Sequence, residues 1–455
     1  MFKLKKLLNL ENLTNFLLFL IPASFIAGSL IVNLNVLFFL VAGIILIKKK
    51  GLTFQINKVK LFLTIFFILI IVSSIINFSI VGQENIIKSI LLLRFLILYF
   101  VIEILLLNNL LNLRKFFTFS LICTSFVSID LFIQYTFGKN ILGNEPLQEN
   151  VLSGIFFDEA IAGGYIQKFF LLSLLGLIIF YDKKNLPKTF IIPVVLIHTL
   201  AIFISTNKMP FVLILFSILL LTFFSKELRI SLIICFILSI TISVIIAKND
   251  DNLKQRYLAF YGKILKKNSP NIIKDESKKL KYEKISEMDF FAQGAGSEHG
   301  LIYIVTFESF KKNVLIGNGL KSIRINCKKI VIPAGHPLFS SVMPSTAMPS
   351  VWSSKGQMCL PHPHNFHLEV LNDTGLLGYL FLTLFVIFTF LKSFKNYSSK
   401  NTFIEKSVFV FILINFFVEI WPIKSTGSLF STWTGSVVWL MVALTSYNFK
   451  NTKLK

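Results

Sequence analysis

Three histidines fall within one short stretch, Pro361-His362-Pro363-His364-Asn365-Phe366-His367-Leu368-Glu369. Imidazole has the unperturbed pKa nearest neutrality, so such a group can take or give a proton at physiological pH. The spacing His362-x-His364-x-x-His367 also offers three imidazoles, the number that some zinc sites use, with His299 and His336 upstream. Pro363 restricts the backbone between the first two, and no adjacent cysteine pair or close repeated carboxylate completes a set. Proton transfer is therefore expected, and no metal or other cofactor. His364 is the first candidate base, with a structural cap on the following helix as its alternative. His367 is a second candidate, as an orienting group. The stretch joins a long polar segment to a hydrophobic run, and Asn372-Asp373-Thr374-Gly375-Leu376-Leu377-Gly378 follows it. That position points to chemistry at a membrane surface.

The elements that must position these groups are apolar. The chain has 455 residues, of which 54% are hydrophobic and 15% charged, and a mean hydropathy of +0.73. Apolar runs long enough to cross about 30 Å of hydrocarbon recur throughout. An all-α polytopic membrane protein is expected, with about twelve transmembrane helices and one large external loop. The predicted spans are 13–28, 30–47, 61–79, 87–107, 116–137, 162–181, 189–204, 209–224, 230–247, 368–391, 407–421 and 427–447. Pro22 and Asn33 interrupt the first two. Met1–Lys6 resembles a signal peptide without a clear cleavage site, so an uncleaved first span is expected.

The net charge of +23 comes mainly from lysines between the apolar runs. No basic stripe is interleaved with aromatics, so nucleic acid is not an expected partner. Basic residues mark alternate connections, among them Lys48–Lys50, Arg114-Lys115, Lys183-Lys184 and Lys392-Lys395. By the positive-inside rule these face the cytoplasm, as do both termini. Three regions result: an N-terminal bundle of about nine spans over 1–247, an external loop over 248–367, and about three further spans with a tail over 368–455. Leu301–Phe310 is apolar enough for a short surface helix within that loop. Cys123 and Cys235 lie inside spans, as packing groups. Cys327 and Cys359 share the external loop, where an oxidising compartment would permit a disulfide. Closing a loop of that size is worth roughly 3–4 kcal/mol.

Arg94 falls inside the fourth span, where a charge costs about 2.5–3.5 kcal/mol. It is expected to face a phosphate or to pair with Glu103 or Asp130. Thr426-Gly427-Ser428 follows Trp421-Pro422 as an external turn, lining a site or permitting close helix packing.

Several stretches together resemble the O-antigen ligase and O-antigen polymerase family of membrane glycosyltransferases. His364-Asn365, then Glu369 and Gly375-Leu376-Leu377-Gly378, are similar to the family's His-Asn motif at the end of its large periplasmic loop. Leu315-Ile316-Gly317-Asn318-Gly319-Leu320 followed by Arg324 resembles its Gly-x-Gly element. Ser153–Glu159, then Ala162, is similar to an external loop before the middle spans, and Ser205-Thr206-Asn207-Lys208 to a short external turn. The resemblance covers residues 150–440. Lys208 stands where the family's pattern has Arg, which removes a bidentate phosphate contact there. The Lys-rich segment 258–295 is longer than is usual in the family.

The resemblance implies a helical fold similar to lipid-carrier-dependent, GT-C-like glycosyltransferases. It implies a metal-independent, inverting transfer of a glycan from an undecaprenyl-diphosphate-linked donor, at the outer face of the bacterial inner membrane. A ligase passes the glycan to the lipid A core of lipopolysaccharide; a polymerase passes it to another glycan repeat. The ligase is the expectation and the polymerase its alternative; a lipid-linked glycan flippase or transporter is a third. On this reading His364 is the base. Arg324, Arg256, Lys208 and Arg94 are the diphosphate ligands, since each guanidinium grips phosphate oxygens in pairs and the Lys208 ammonium meets them as a point charge. Amides of the Gly-x-Gly turn would assist. Asn365, His367, Asp158 and Glu159 would face the acceptor or orient those that do.

Overall fold

The computed structural model describes residues 9–147, 151–184, 187–265, 298–325, 362–397, 402–425 and 427–445. Among them every regular element is a helix. In chain order these are α1 (Leu10–Phe19), α2 (Ile21–Ile26), α3 (Ser29–Lys49), α4 (Lys58–Ile76), α5 (Phe78–Leu91), α6 (Leu93–Leu107), α7 (Leu113–Phe137), α8 (Ala162–Lys184), α9 (Ile191–Ile204), α10 (Lys208–Phe224), α11 (Arg229–Asn249), α12 (Asp251–Leu265), α13 (Glu298–Phe310), α14 (Ser322–Ile325), α15 (Phe366–Tyr397), α16 (Phe403–Glu419) and α17 (Thr432–Thr445).

Among the described residues, seven helical stretches are long and apolar enough to cross a membrane: Ser29–Lys49, Lys58–Ile76, Phe78–Leu107, Leu113–Phe137, Ala162–Phe180, Arg229–Asn249 and Phe366–Lys395. α9, α10 and α17 are apolar but shorter. The chain is thus a multi-pass membrane protein by the length and composition of its helices. The first expected span, 13–28, is not one helix. It breaks at Leu20, and Pro22 sits in the first turn of α2, where its missing N–H costs nothing. The fourth, 87–107, begins earlier, at Phe78, and is bent where Gly82 takes φ +70°. The span expected at 427–447 starts later, at Thr432.

Local sequence explains the ends. Asn57 and Asn112 accept hydrogen bonds from the third residue of the helix each precedes, and Thr402 with Glu405 closes a capping box on α16. Gly138 ends α7 in the left-handed conformation. Hydrocarbon gives apolar side chains little reason to prefer each other over lipid, so close approach and interhelical polar bonds hold the bundle. At Gly176 a Cβ would lie 2.4 Å from the Phe117 carbonyl, so glycine there lets α8 press on α7. Asn15 donates to Leu110 O at 2.8 Å, Asn35 to Leu17 O at 3.1 Å, and Thr199 meets Ser239 at 3.0 Å. Such bonds average about 0.6 kcal/mol each in a membrane. The outward faces are greasy: Leu30, Leu37 and Phe38 on α3, and Ile230, Ile237 and Val244 on α11, are exposed.

α15 carries the site and is not continuous. Gly375 takes φ +66° and ψ −169°, which splits the helix in two. The part after the break, Leu376–Tyr397, is roughly 33 Å long at 1.5 Å per residue, a full span by itself. The break therefore lies at one end of the bundle, and the two turns before it belong to a ledge there. α13, expected from Leu301–Phe310, exists and packs on α15 with Ile302, Val305 and Phe310 buried.

Candidate functional site

The ledge is built by backbone pairing. The Gly-x-Gly turn lies against the break in α15: Asn318 N donates to Asn372 O at 2.8 Å, Gly319 N to Asp373 O at 3.1 Å, Leu376 N to Val314 O at 2.8 Å and Leu377 N to Leu315 O at 3.1 Å. A Cβ on Gly317 would lie 2.5 Å from Gly375 N, and one on Gly375 would lie 2.3 Å from Leu315 O. Only glycine permits this approach. The end of α4 completes the knot. Ser73 donates to Asp373 O at 2.7 Å, Asn77 to Gly317 O at 2.9 Å, and Ser74 Oγ accepts from Leu320 N at 3.1 Å. This corrects one expectation. The amides of Asn318 and Gly319 are spent on α15 and Ser73, so the turn is a structural clasp and not an anion nest.

His364 stands at the edge of the ledge, half-buried, with φ +55°. Its ring lies 4.0 Å from that of His362, centroid to centroid. The cap on α15 is Asn365 and not His364: its Oδ1 accepts from His367 N at 3.0 Å and Leu368 N at 3.1 Å, while its Nδ2 donates to Pro422 O at 2.8 Å. His367 uses both ring nitrogens, Nδ1 with Tyr379 Oη at 3.1 Å and Nε2 with Ile420 O at 2.9 Å. It therefore orients the chain and is not available for proton transfer. The three imidazoles do not converge on one point. Tyr303 of α13 bonds to Asn365, and burial raises its phenol above the ordinary value.

Around the ledge sit two buried carboxylates. Glu369 accepts from Ser428 Oγ at 2.5 Å and Leu429 N at 2.7 Å. The Gly427-Ser428 turn thus lines the site; Thr426 lies outside the described residues. Asp373 accepts from Lys321 N at 2.7 Å and Asn372 Nδ2 at 2.8 Å. Lys321 is a residue that sequence reasoning missed. It follows Gly319-Leu320 directly and takes φ +56°. Burial first, and then the like charge of Lys88, push its ammonium below the ordinary lysine value, with Arg324 adding to the effect. Arg324 is exposed on α14, in electrostatic range of Glu84, which Lys88 already pairs.

The other candidates occupy a second corner. Asp158 and Glu159 are exposed on the loop before α8. The first turn of α8, which follows that loop, meets the α9–α10 turn at Gly163, where a Cβ would lie 2.6 Å from Asn207 Cβ. Lys208 opens α10 there, half-buried. Arg256 on α12 is brought to the same corner by its neighbour Tyr257, which stacks on Phe203 at 4.5 Å and donates to Phe203 O at 2.9 Å. Arg94 does not pair with Glu103 or Asp130. It donates to Thr432 Oγ1 at 3.0 Å, which in turn donates to Asn33 at 3.1 Å, and it lies over the Phe95 ring. Glu103 is taken by Lys60 at 2.8 Å, and Asp130 accepts from Ile141 N at 2.9 Å.

Between the corners lies a buried ion cluster that sequence reasoning also missed. Lys168 of α8 is 2.7 Å, and Lys424 3.4 Å, from Glu419 Oε2 at the end of α16. Lys424 lies over the Phe366 ring at 5.6 Å, beside Asn365, and Lys168 over Trp433 at 5.8 Å. Cys123 and Cys235 are buried free thiols. Cys327, Cys359 and His336 lie outside the described residues, as do Met1–Lys6 and the Lys-rich stretch after Leu265.

In comparisons with known protein families and with curated proteins, no family model and no curated protein matches this chain.

Proposed function

We propose that this chain is an O-antigen ligase-like glycosyltransferase, with about twelve spans and a GT-C-like helical architecture. It takes a glycan from undecaprenyl diphosphate and passes it to the lipid A core at the outer face of the bacterial inner membrane, with both termini cytoplasmic. The observation that supports this best is the pairing of stretches far apart in sequence. The Gly-x-Gly element packs on the segment that follows His364-Asn365, and the start of α8, directly after the 153–159 stretch, packs on the Ser205–Lys208 turn. These are the four stretches that carry the family resemblance.

In the mechanism, His364 takes the proton of the acceptor hydroxyl as its oxygen attacks the anomeric carbon. The bond from that carbon to the carrier diphosphate breaks, and the diphosphate leaves with the electron pair. Arg324, with Arg256 or Lys208, balances its charge, and Arg94 contributes from the α6 side. Lys321 joins this set because it is half-buried beside Arg324. The bond pattern speaks against His367 as base, since both of its ring nitrogens are engaged. A transporter would carry its helix breaks at the bilayer midplane. The Gly375 break leaves a full span beyond it and so speaks for the enzyme.

The test is a gel of surface glycolipids from cells carrying His364→Ala in place of the native chain, beside a full deletion. Transfer is expected to fall about 10²–10⁴-fold. Bare lipid A core in both strains supports the ligase, and core bearing one repeat supports the polymerase. A wild-type pattern with the variant protein present would sink the reading.

A further inference from the structure

Three cations meet on the rim of the ledge. Lys321 follows the clasp, Arg324 comes directly after it on α14, and Lys88 is brought from α5, far earlier in the chain. The clasp sets that meeting. A Cβ on Gly319 would lie 2.8 Å from Val81 Cγ1 and 3.3 Å from Ser74 Cα, so the turn presses on the start of α5. Lys88 and Arg324 both act on the Lys321 ammonium as like charges. Lys88 is answered by Glu84, which is exposed. Among the described residues, the side chains of Lys321 and Arg324 make no ion pair and no hydrogen bond. Glu369 and Asp373 attract Lys321 from beneath, but their oxygens are committed: Glu369 to Ser428 and Leu429, Asp373 to Lys321 N, Asn372 and Ser322. Lys321 is also strained. It takes φ +56°, which glycine adopts freely and lysine at a cost, and Asp373 holds it there through the 2.7 Å bond to its amide. A fold that needed only the turn would use glycine, as at Gly317 and Gly319. What the strain retains is the side chain.

The surroundings name the ligand. A lone carboxylate is met by one cation, whereas three suit a group with two or more negative charges, and phosphate oxygens take both guanidinium and ammonium. Ile87 beside Lys88, Leu91 one turn further along α5, and Ile325 beside Arg324 are exposed apolar side chains. Cations and apolar surface on one rim suit a phosphate carried by a lipid. We propose that Lys88, Lys321 and Arg324 seat the phosphate end of a lipid that arrives from the bilayer along α5, with Asp373 as the residue that positions Lys321 for it. This deepens the glycan-transfer reading, on which it rests. It adds Lys88 to the groups that meet the carrier's diphosphate, gives Lys321 a reason for its backbone, and gives the carrier a side of entry.

The experiment is native mass spectrometry of the full-length protein released from phosphatidylcholine nanodiscs. The nanodiscs contain undecaprenyl diphosphate or, separately, the same fraction of phosphatidylglycerol; inorganic pyrophosphate is a third, soluble probe. Undecaprenyl diphosphate is expected to stay bound well above phosphatidylglycerol. Lys88→Met, on the exposed rim, and Lys321→Met should each lower its retention about tenfold, the effect of losing one charge-assisted bond, while Lys321→Arg keeps most of it. Lys321→Gly relieves the backbone and removes the ammonium, so the melting temperature is expected to rise as retention falls. Asp373→Asn keeps an acceptor for the Lys321 amide and should retain the lipid where Asp373→Ala loses it. In a Lys321→Met background Asp373→Ala should cost no further retention, since it acts through Lys321. Unchanged retention in Lys321→Gly overturns the proposal, and a further loss in the double variant overturns the role of Asp373. Equal retention of the two lipids points to a general anionic headgroup and overturns the carrier. Pyrophosphate bound as tightly as the lipid overturns entry from the bilayer. These measurements need no transfer, so they fail apart from the His364→Ala gel. A wild-type gel with retention lost in Lys321→Gly leaves a carrier site without the enzyme, and the reverse pattern leaves the enzyme without this seat.

Discussion

Two buried ion clusters hold helices together in this protein, and they are built differently. Between α4 and α6, Lys60 Nζ lies 2.8 Å from Glu103 Oε2 and donates to Gln55 O at 2.6 Å, with the Phe54 ring 4.9 Å away. One cation meets one anion, and a carbonyl takes a further proton of the ammonium. Between α8 and α16, two lysines share one carboxylate oxygen, and the other oxygen is left unmet. The first cluster is closed in charge, one cation to one anion, although Glu103 Oε2 makes no hydrogen bond of good geometry. The second is open in charge, with two ammoniums for one carboxylate, and its Lys424 lies over Phe366, next to Asn365 on the ledge that carries His364. A buried ion pair is weak evidence of stability, because desolvation offsets most of the attraction. What separates these two clusters is therefore their charge ratio, one ammonium per carboxylate against two.

The contrast can be broken by mutation. The largest effect is expected from Glu419→Ala, which leaves two buried ammoniums without an anion. The loss should reach at least about 4 kcal/mol, read as a fall in melting temperature or failure to accumulate in the membrane. Lys60→Met leaves a single orphaned carboxylate and should cost about 3 kcal/mol by the same measurement. A smaller effect is a pH dependence to which the open cluster contributes through Lys424, beside the contribution of Lys321 at the ledge. Burial holds the Lys424 ammonium down to about 8, against the pull of Glu419, where an ordinary lysine titrates at 10.5. Between those values the unfolded chain binds more protons than the folded one, so stability rises with pH from about 8 to 10.5. Lys424→Met should flatten that slope in melting curves taken at several pH values; an unchanged slope would assign it to another group. The smallest effect is expected where both members of the closed pair are replaced. Lys60→Met with Glu103→Leu should fall within about 1 kcal/mol of the native chain. A large loss there would show that the closed pair does more than balance itself.

The helices were legible where apolar runs are long, because hydropathy averaged over a span survives local detail. The breaks were not. Leu20, Gly82 and Gly375 interrupt helices through one or two dihedral angles, which a window of many residues does not register. The site was legible in part. The His364 stretch and the Gly-x-Gly turn announced themselves by composition, but composition cannot say where an amide points, and the turn's amides are spent on α15. Arg94 drew attention because charge in hydrocarbon is costly, yet its partner is a threonine more than three hundred residues away, beyond any local rule. The same cost argument applied to Lys168 and Glu419, both within helices of otherwise apolar character, would have found the open cluster. Lys321 carried no such signal, since a lysine in a polar segment is ordinary until its burial is known.

The Gly375 break has a consequence for how this helix can change over generations. A continuous helix ties every side chain to one phase, so inserting a residue turns everything beyond it by about 100°. Here the clasp fixes the phase of Phe366–Thr374 from outside, through Asn318, Gly319 and Ser73. Leu376, Leu380, Ile387 and Leu391, which face outward below the break, can drift with the thickness and chemistry of the surrounding lipid. Asn365, Glu369 and Asp373 need not follow them. One polypeptide segment thus evolves as two, its lower half answering to the bilayer and its upper half to the ledge.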